Sequence, residues 1–89
     1  VFGAGDGGSQ LVRQLRRSIA SQFNPVGILD DDPAKRHRVI EGVRVYGGRE
    51  RLANLARDTG AETLIIAAPS LPSDQLIEIR DQAESIGLH

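Results

Sequence analysis

Cysteine, methionine and tryptophan are absent from this chain of 89 residues, and aromatic side chains make up only 3% of it. Without cysteine there is neither a disulfide staple nor a thiolate metal site. A chain of this length buries only roughly 60% of its unfolded surface, so it must rely on packing or on neighbours. An excess of one charge is missing too: eleven basic against twelve acidic residues leave a net charge of −1. That balance supplies no positive field for nucleic acid or anionic lipid, and no nucleic-acid partner is expected. Long apolar runs are lacking as well. The longest, Leu64 to Ala68, has five residues, against the roughly 20 that a membrane span needs.

What is present is an ordinary globular composition, 39% hydrophobic and 26% charged, with an alternating grammar. Val1-Phe2 stands directly before the cluster Gly3-Ala4-Gly5-Asp6-Gly7-Gly8. It reads as the tail of a strand begun upstream, so residues 1–89 are expected to be one Rossmann-like domain excised from a longer protein. Leu11, Val12, Leu15 and Ile19 then recur at helical spacing, with Arg13, Arg16 and Arg17 on the other face, predicting a helix over about 7–20. Val26-Gly27-Ile28-Leu29 is a short buried strand ending in Asp30. Asp32-Pro33 has the form of a cap followed by proline at the first helical position, predicting one exposed turn. Val43-Arg44-Val45-Tyr46 alternates like a short edge strand, a second helix over about 49–58 stops at Gly60, and Thr63 to Ala68 reads as the central strand, broken by Pro69. Leu76, Ile79, Ala83 and Ile86 mark a last helix ending before Gly87.

Short apolar strands alternating with amphipathic helices imply an α/β fold with right-handed crossovers. The expectation is a Rossmann-like half: a three-stranded parallel sheet of spatial order 3-2-1, flanked by helices, with an extra edge strand near 43–46. In that order the Val1-Phe2 strand lies bare at the sheet edge. A bare edge invites a partner, so either a homodimer through Val1-Phe2 and the first helix or a marginally stable fold is expected.

Gly3-x-Gly5-x-x-Gly8 follows a strand and opens a helix, as in the dinucleotide fingerprint. Asp30 stands 22 residues after Gly8 at the end of the next strand, where a carboxylate can hold ribose hydroxyls. The same pattern also fits a domain that keeps the turn for packing and binds nothing. If a nucleotide binds, Asp30 repels a 2′-phosphate and so favours NAD over NADP, unless Arg36 and Arg38 fold back to compensate. Asp31 reads as part of a solvated turn, Asp32 as a cap, and Asp6 takes no part in binding. Ala68-Pro69-Ser70 closes on the same carboxyl edge, so Ser70 either lines the crevice or, like Ser73, caps the last helix.

No catalytic residue is expected. His37 and His89 have no partners at metal-ligand spacing, and Tyr46 is followed four residues later by Glu50, not by the lysine of a Tyr-x-x-x-Lys pair. There is no nucleophile elbow, triad or paired-carboxylate set. Chemistry from this chain alone is not expected.

Four blocks occurring in order resemble a known family: Gly-Ala-Gly-Asp-Gly-Gly-x-Gln-Leu at 3–11, Val-Gly-Ile-Leu-Asp-Asp-Asp-Pro at 26–33, Gly-Val-Arg-Val-Tyr-Gly at 42–47 and Ile-Ile-Ala-Ala-Pro-Ser at 65–70. They resemble the first Rossmann domain of membrane-bound nucleotide-diphosphate-sugar epimerase/dehydratases of bacterial polysaccharide biosynthesis. The resemblance implies a parent with membrane helices and a separate catalytic domain, anchored in the inner membrane with this domain in the cytoplasm. It carries over Gly3, Gly5, Gly8 and Asp30 as matched positions, with NAD, another nucleotide or coenzyme A as ligand. The blocks are also similar to the NAD(H)-sensing domain of redox-responsive transcriptional repressors, and to a domain of membrane sugar-phosphate transferases of capsule synthesis.

Overall fold

The computed structural model describes residues 1–18 and 23–89. The glycine cluster feeds helix α1 (Asp6–Arg17), and Ile19 and Ala20 of the predicted helix lie outside the described residues. Strand β1 (Ile28–Leu29) is followed by a 3-10 turn at Pro33–Lys35, strand β2 (Val39–Ile40) and strand β3 (Val43–Gly47). A second 3-10 turn, Arg49–Arg51, leads into α2 (Leu52–Thr59), and α3 (Ser73–Ser85) completes the order. Gly60 ends α2 in the left-handed region at φ 70 and Gly87 follows α3 at φ 84, as the glycine stops predicted.

The strand order 3-2-1 is not what forms. The sheet is mixed, in the order β1-β3-β2, with β1 parallel to β3 and β2 antiparallel to it. Val43–Gly47 is therefore not an edge strand but the middle of this sheet. Its alternation places Val43, Val45 and Gly47 inside while Arg44 faces water. The edge position goes to β2, a two-residue strand joined to β3 through Glu41 and Gly42, both at positive φ. Such a hairpin turn normally takes asparagine before glycine, and this is one reason the short strand escapes sequence reading.

Phe2 is not at an edge either. It bridges Leu29 on one side and Ile66 on the other, both in parallel. The Gly3 and Leu29 amides donate to the Leu29 and Val1 carbonyls at 2.7 and 2.8 Å, and the Phe2 and Ala67 amides donate to the Ile65 and Phe2 carbonyls, each at 2.8 Å. Thr63 to Ala68 thus lies beside Phe2, opposite β1, instead of at the far end of the row. Beyond it, the His89 amide donates to the Glu62 carbonyl and the Leu64 amide donates to that of His89. Because both flanks of Phe2 are hydrogen-bonded within the chain, a homodimer built on a bare Val1-Phe2 edge loses its physical basis.

Ile28 and Leu29 show how two residues organise two cores. Side chains alternate across a strand, so Ile28 joins Ala4, Val12, Val43 and Val45 under α1, while Leu29 joins Phe2, Leu52, Leu55, Ile79 and Ala83 under α2 and α3. Only one apolar row of α3 is buried. Ile79 and Ala83 pack inward, whereas Leu76 and Ile86, predicted for the same stripe, are 41% exposed. On α1, Val12 is fully buried and Arg13 reaches Glu41 in an exposed ion pair of 3.0 Å.

The Val1 nitrogen donates to the Gly27 carbonyl at 3.0 Å, so the pairing of Phe2 with β1 continues one residue further back along both segments.

Candidate functional site

The candidate site lies at the carboxyl edge of Phe2, β1 and β3, where the chain turns into α1. Three glycines build its floor for different reasons. Gly3 has φ +123, and a Cβ there would meet the Ala67 carbonyl oxygen at 2.5 Å, so only glycine permits this approach of the neighbouring segment. A Cβ on Gly8 would overlap the Gly3 carbonyl, so the first turn of α1 rests on the backbone of the loop that precedes it. Gly5 is different. Its φ of −80 and ψ of −162 are open to any residue, and among the described residues, its own chain neighbours aside, a Cβ there would come near the Lys35 Nζ alone, at 3.6 Å. The protein's own packing does not require glycine at 5, and the space above it is free for a ligand. Gly5 caps α1 without a side-chain hydrogen bond, which leaves amides at the positive end of the helix turned toward that space.

The three aspartates after β1 hold three separate positions. Asp30 accepts from the Ala4 amide at 2.8 Å through one oxygen and from the Asp32 amide at 2.9 Å through the other, with the Lys35 Nζ at 3.7 Å. It thereby ties the glycine turn to the end of β1. Asp32 caps the following 3-10 turn by accepting from the Ala34 amide at 3.0 Å, with Pro33 at the first position, as its sequence predicts.

Asp31 is not merely part of a solvated turn. It accepts from the Arg49 Nε at 2.9 Å, the Nη2 at 2.6 Å and the backbone amide at 2.9 Å. Partial burial alone would raise its pKa. The hydrogen bonds and charge of Arg49 outweigh that and hold the carboxyl below its ordinary value. The same guanidinium donates to Gln75 at 3.0 Å and lies 3.7 Å from Glu78, and the Arg49 carbonyl accepts from Gln82. One arginine thus clamps the end of β1 to α3.

The structure brings Gly3, Gly5, Gly8 and Asp30 together. Ser70 stays on an exposed turn, and neither it nor Ser73 caps α3: Pro72 occupies the N-cap position, with no side-chain cap. Asp6 is exposed at the start of α1. Sequence reasoning missed Lys35 and Arg49 because basic residues in polar turns ordinarily face water. The one available signal was Pro33, which fixes the turn that carries Lys35 back over Gly5.

A cavity of about 350 Å³ lies at the opposite, amino edge, lined by Val1, Phe23, Val26, Leu55, Thr59 and Leu64 among others. Its described lining contains none of the fingerprint glycines. Among the described residues, no group of His, Cys, Asp and Glu is arranged to hold a metal ion, and no helix is long and apolar enough to cross a membrane.

The two kinds of glycine give opposite expectations. Gly8→Ala forces backbone apart and should cost about 3 kcal/mol or more. Gly5→Val, in an allowed conformation, should cost only about 1 kcal/mol, from a poorer helix cap. Chemical denaturation of both variants checks this, and a Gly5→Val cost equal to that of Gly8→Ala would mean that Gly5 is a packing residue after all.

Comparison with known proteins agrees with this geometry. The chain is 37% identical over 76 residues to the polysaccharide biosynthesis protein EpsC of Bacillus subtilis (strain 168), covering 85% of this chain. It is 40% identical over 80 residues to the capsular polysaccharide biosynthesis protein CapD of Staphylococcus aureus, covering 89%. It spans only 13% of the length of either relative. Among solved structures, the UDP-D-quinovosamine 4-dehydrogenase of Vibrio fischeri matches with a TM-score of 0.86 and 28% identity, over 98% of this chain and 69% of that one. Residues 1–86 match the CoA-binding domain family, and the chain belongs to that family.

Proposed function

We propose that this domain binds an adenine nucleotide through its 5′-diphosphate, as a non-catalytic or regulatory part of a longer enzyme of polysaccharide biosynthesis. The observation that carries the reading is Gly5. Neither backbone conformation nor packing calls for glycine there, yet a side chain would fill the space between the α1 amides and the Lys35 ammonium. A diphosphate seated in that space receives backbone N–H groups, the positive helix end and one lysine, the combination that anions favour at helix N-termini.

Asp30 supports the ribose half of the reading. Each of its oxygens already accepts one backbone N–H, and a carboxylate oxygen can accept a second donor, so ribose hydroxyls can join without breaking the turn. NAD, the ligand that Asp30 suggests, and coenzyme A, the ligand in the family's description, share the adenosine 5′-diphosphate. That shared part is what this edge is built to hold. The similarity to two polysaccharide biosynthesis proteins and a sugar-nucleotide dehydrogenase supports the setting.

Calorimetric titration with ADP tests the reading. Wild-type protein should bind it, Lys35→Gln should weaken binding by about tenfold for one lost charge-assisted contact, and Gly5→Val should abolish it while remaining folded. Failure of ADP to bind, or unchanged affinity in Gly5→Val, would overturn the proposal.

A further inference from the structure

The most apolar run of the chain is only half covered. Every residue from Leu64 to Ala68 is half-buried, whereas Ile28 and Val45 on the other side of Phe2 are fully buried. One flank of the run is closed, because the Ile65 carbonyl and the Ala67 amide bond to Phe2. Main-chain groups point alternately to the two flanks of a strand, so Leu64, Ile66 and Ala68 present theirs to the opposite flank. There the Leu64 amide donates to the His89 carbonyl at 2.9 Å. Among the described residues the Leu64 and Ile66 carbonyls and the Ile66 and Ala68 amides find no backbone partner.

His89 fixes the direction and register of whatever fills this flank. Its amide donates to the Glu62 carbonyl at 3.0 Å while its carbonyl accepts from Leu64, so it brackets Thr63 as Phe2 brackets Ile66. That two-bond pattern belongs to a parallel pair. The chain reaches this position through Gly87, at φ +84 after α3, and Leu88, which is buried in the core under α2 and α3. Beside the bare flank runs a groove of about 150 Å³, lined by Leu64, Ile66, Ala83 and Leu88 together with Arg80 and Glu84. No charge or proline interrupts the run from Leu64 to Ala68, and proteins do not ordinarily leave such an edge bare.

We propose that the flank from Leu64 to Ala68 is a docking site for one further strand, supplied by the polypeptide that continues beyond His89 and running parallel to this segment. Continuity carries the assignment, since His89 already makes the first parallel pair and every second residue makes the next. The second residue past His89 donates to the Leu64 carbonyl and accepts from the Ile66 amide. The fourth donates to the Ile66 carbonyl and accepts from the Ala68 amide. Side chains alternate across a strand, so the first and third residues past His89 fall on the same face as Leu88, over the groove, and are apolar. The relatives, of which this chain spans 13%, have the length to supply such a strand. Its carboxyl end lies beside the exposed turn at Pro69 and Ser70 and extends the carboxyl edge on the side of Phe2 away from Asp30. The inference is independent of the nucleotide reading.

Amide hydrogen exchange in the protein continued past residue 89 tests this, with the Ala67 amide, bonded to the Phe2 carbonyl, as internal reference. The Ile66 and Ala68 amides should be protected to the same order as Ala67. A stop after His89 should speed their exchange by about a hundredfold or more while Ala67 holds. Proline at the second residue past His89 cannot donate to the Leu64 carbonyl; it should also speed exchange at Ile66, and it decides the matter if the chain stopped at His89 does not fold. Free exchange at Ile66 and Ala68 in the longer protein would overturn the proposal. So would protection that survives the proline, which assigns the flank to another segment, or protection that falls on dilution, which assigns it to a second copy.

Discussion

The structure depends on backbone packed against backbone at the glycine turn. Gly8 of α1 rests on the carbonyl of Gly3, and Gly3 in turn faces the carbonyl of Ala67, with no side chain between them at either contact. These two approaches let Phe2 sit between Leu29 and Ile66 and accept a parallel partner on each side. From them follows the reversal of strand order around Phe2, with β1 and β3 on one side and Ile66 on the other. A reversal of this kind opens a crevice at the carboxyl ends of the strands. The same contacts set the start of α1 at that crevice, so the packing that makes the fold also positions the proposed anion seat.

Charge placement along that edge follows a division of labour. Asp30 faces the glycine turn on the α1 side of the sheet, and Asp31 turns away to the clamp formed by Arg49, Gln75 and Glu78. Neighbouring strand residues point to opposite faces, so two adjacent carboxylates work on opposite sides without repelling one another at close range. Arg49 spends its donors on structure, whereas Lys35, paired with Asp30, lies 3.6 Å from where a Cβ on Gly5 would stand. A chain with a net charge of −1 thus still sets a lysine beside the glycine turn.

Much of the fold was legible in local signals. The helical spacing of Leu11, Val12 and Leu15, the glycine stops at 60 and 87 and the cap at Asp32 are properties of a few neighbouring residues, and each is found where its chemistry puts it. The glycine turn and Asp30 were legible for the same reason. Strand order was not, because it depends on which distant segments pair. Val43–Gly47 looks like an edge strand when Arg44 is read alone, since nothing local reveals that β2 covers it on one side and β1 on the other. Thr63 to Ala68, the most apolar run, reads as the central strand, and the order 3-2-1 puts it at the far end of the row, yet the approach of Ala67 to Gly3 sets it next to Phe2. Lys35 and Arg49 share that difficulty, because their contacts exist only once the loops after β1 and β3 meet.

If the carboxyl edge and not the cavity at the amino edge receives the ligand, amide chemical-shift mapping during titration with ADP will show it. The largest changes should fall at Gly5, Asp6, Gly7 and Gly8 and at Lys35, with the amides of Thr59 to Thr63 unmoved. Changes concentrated at Thr59 to Thr63 and Leu88, with the glycine turn silent, would place the ligand at the opposite edge and contradict it.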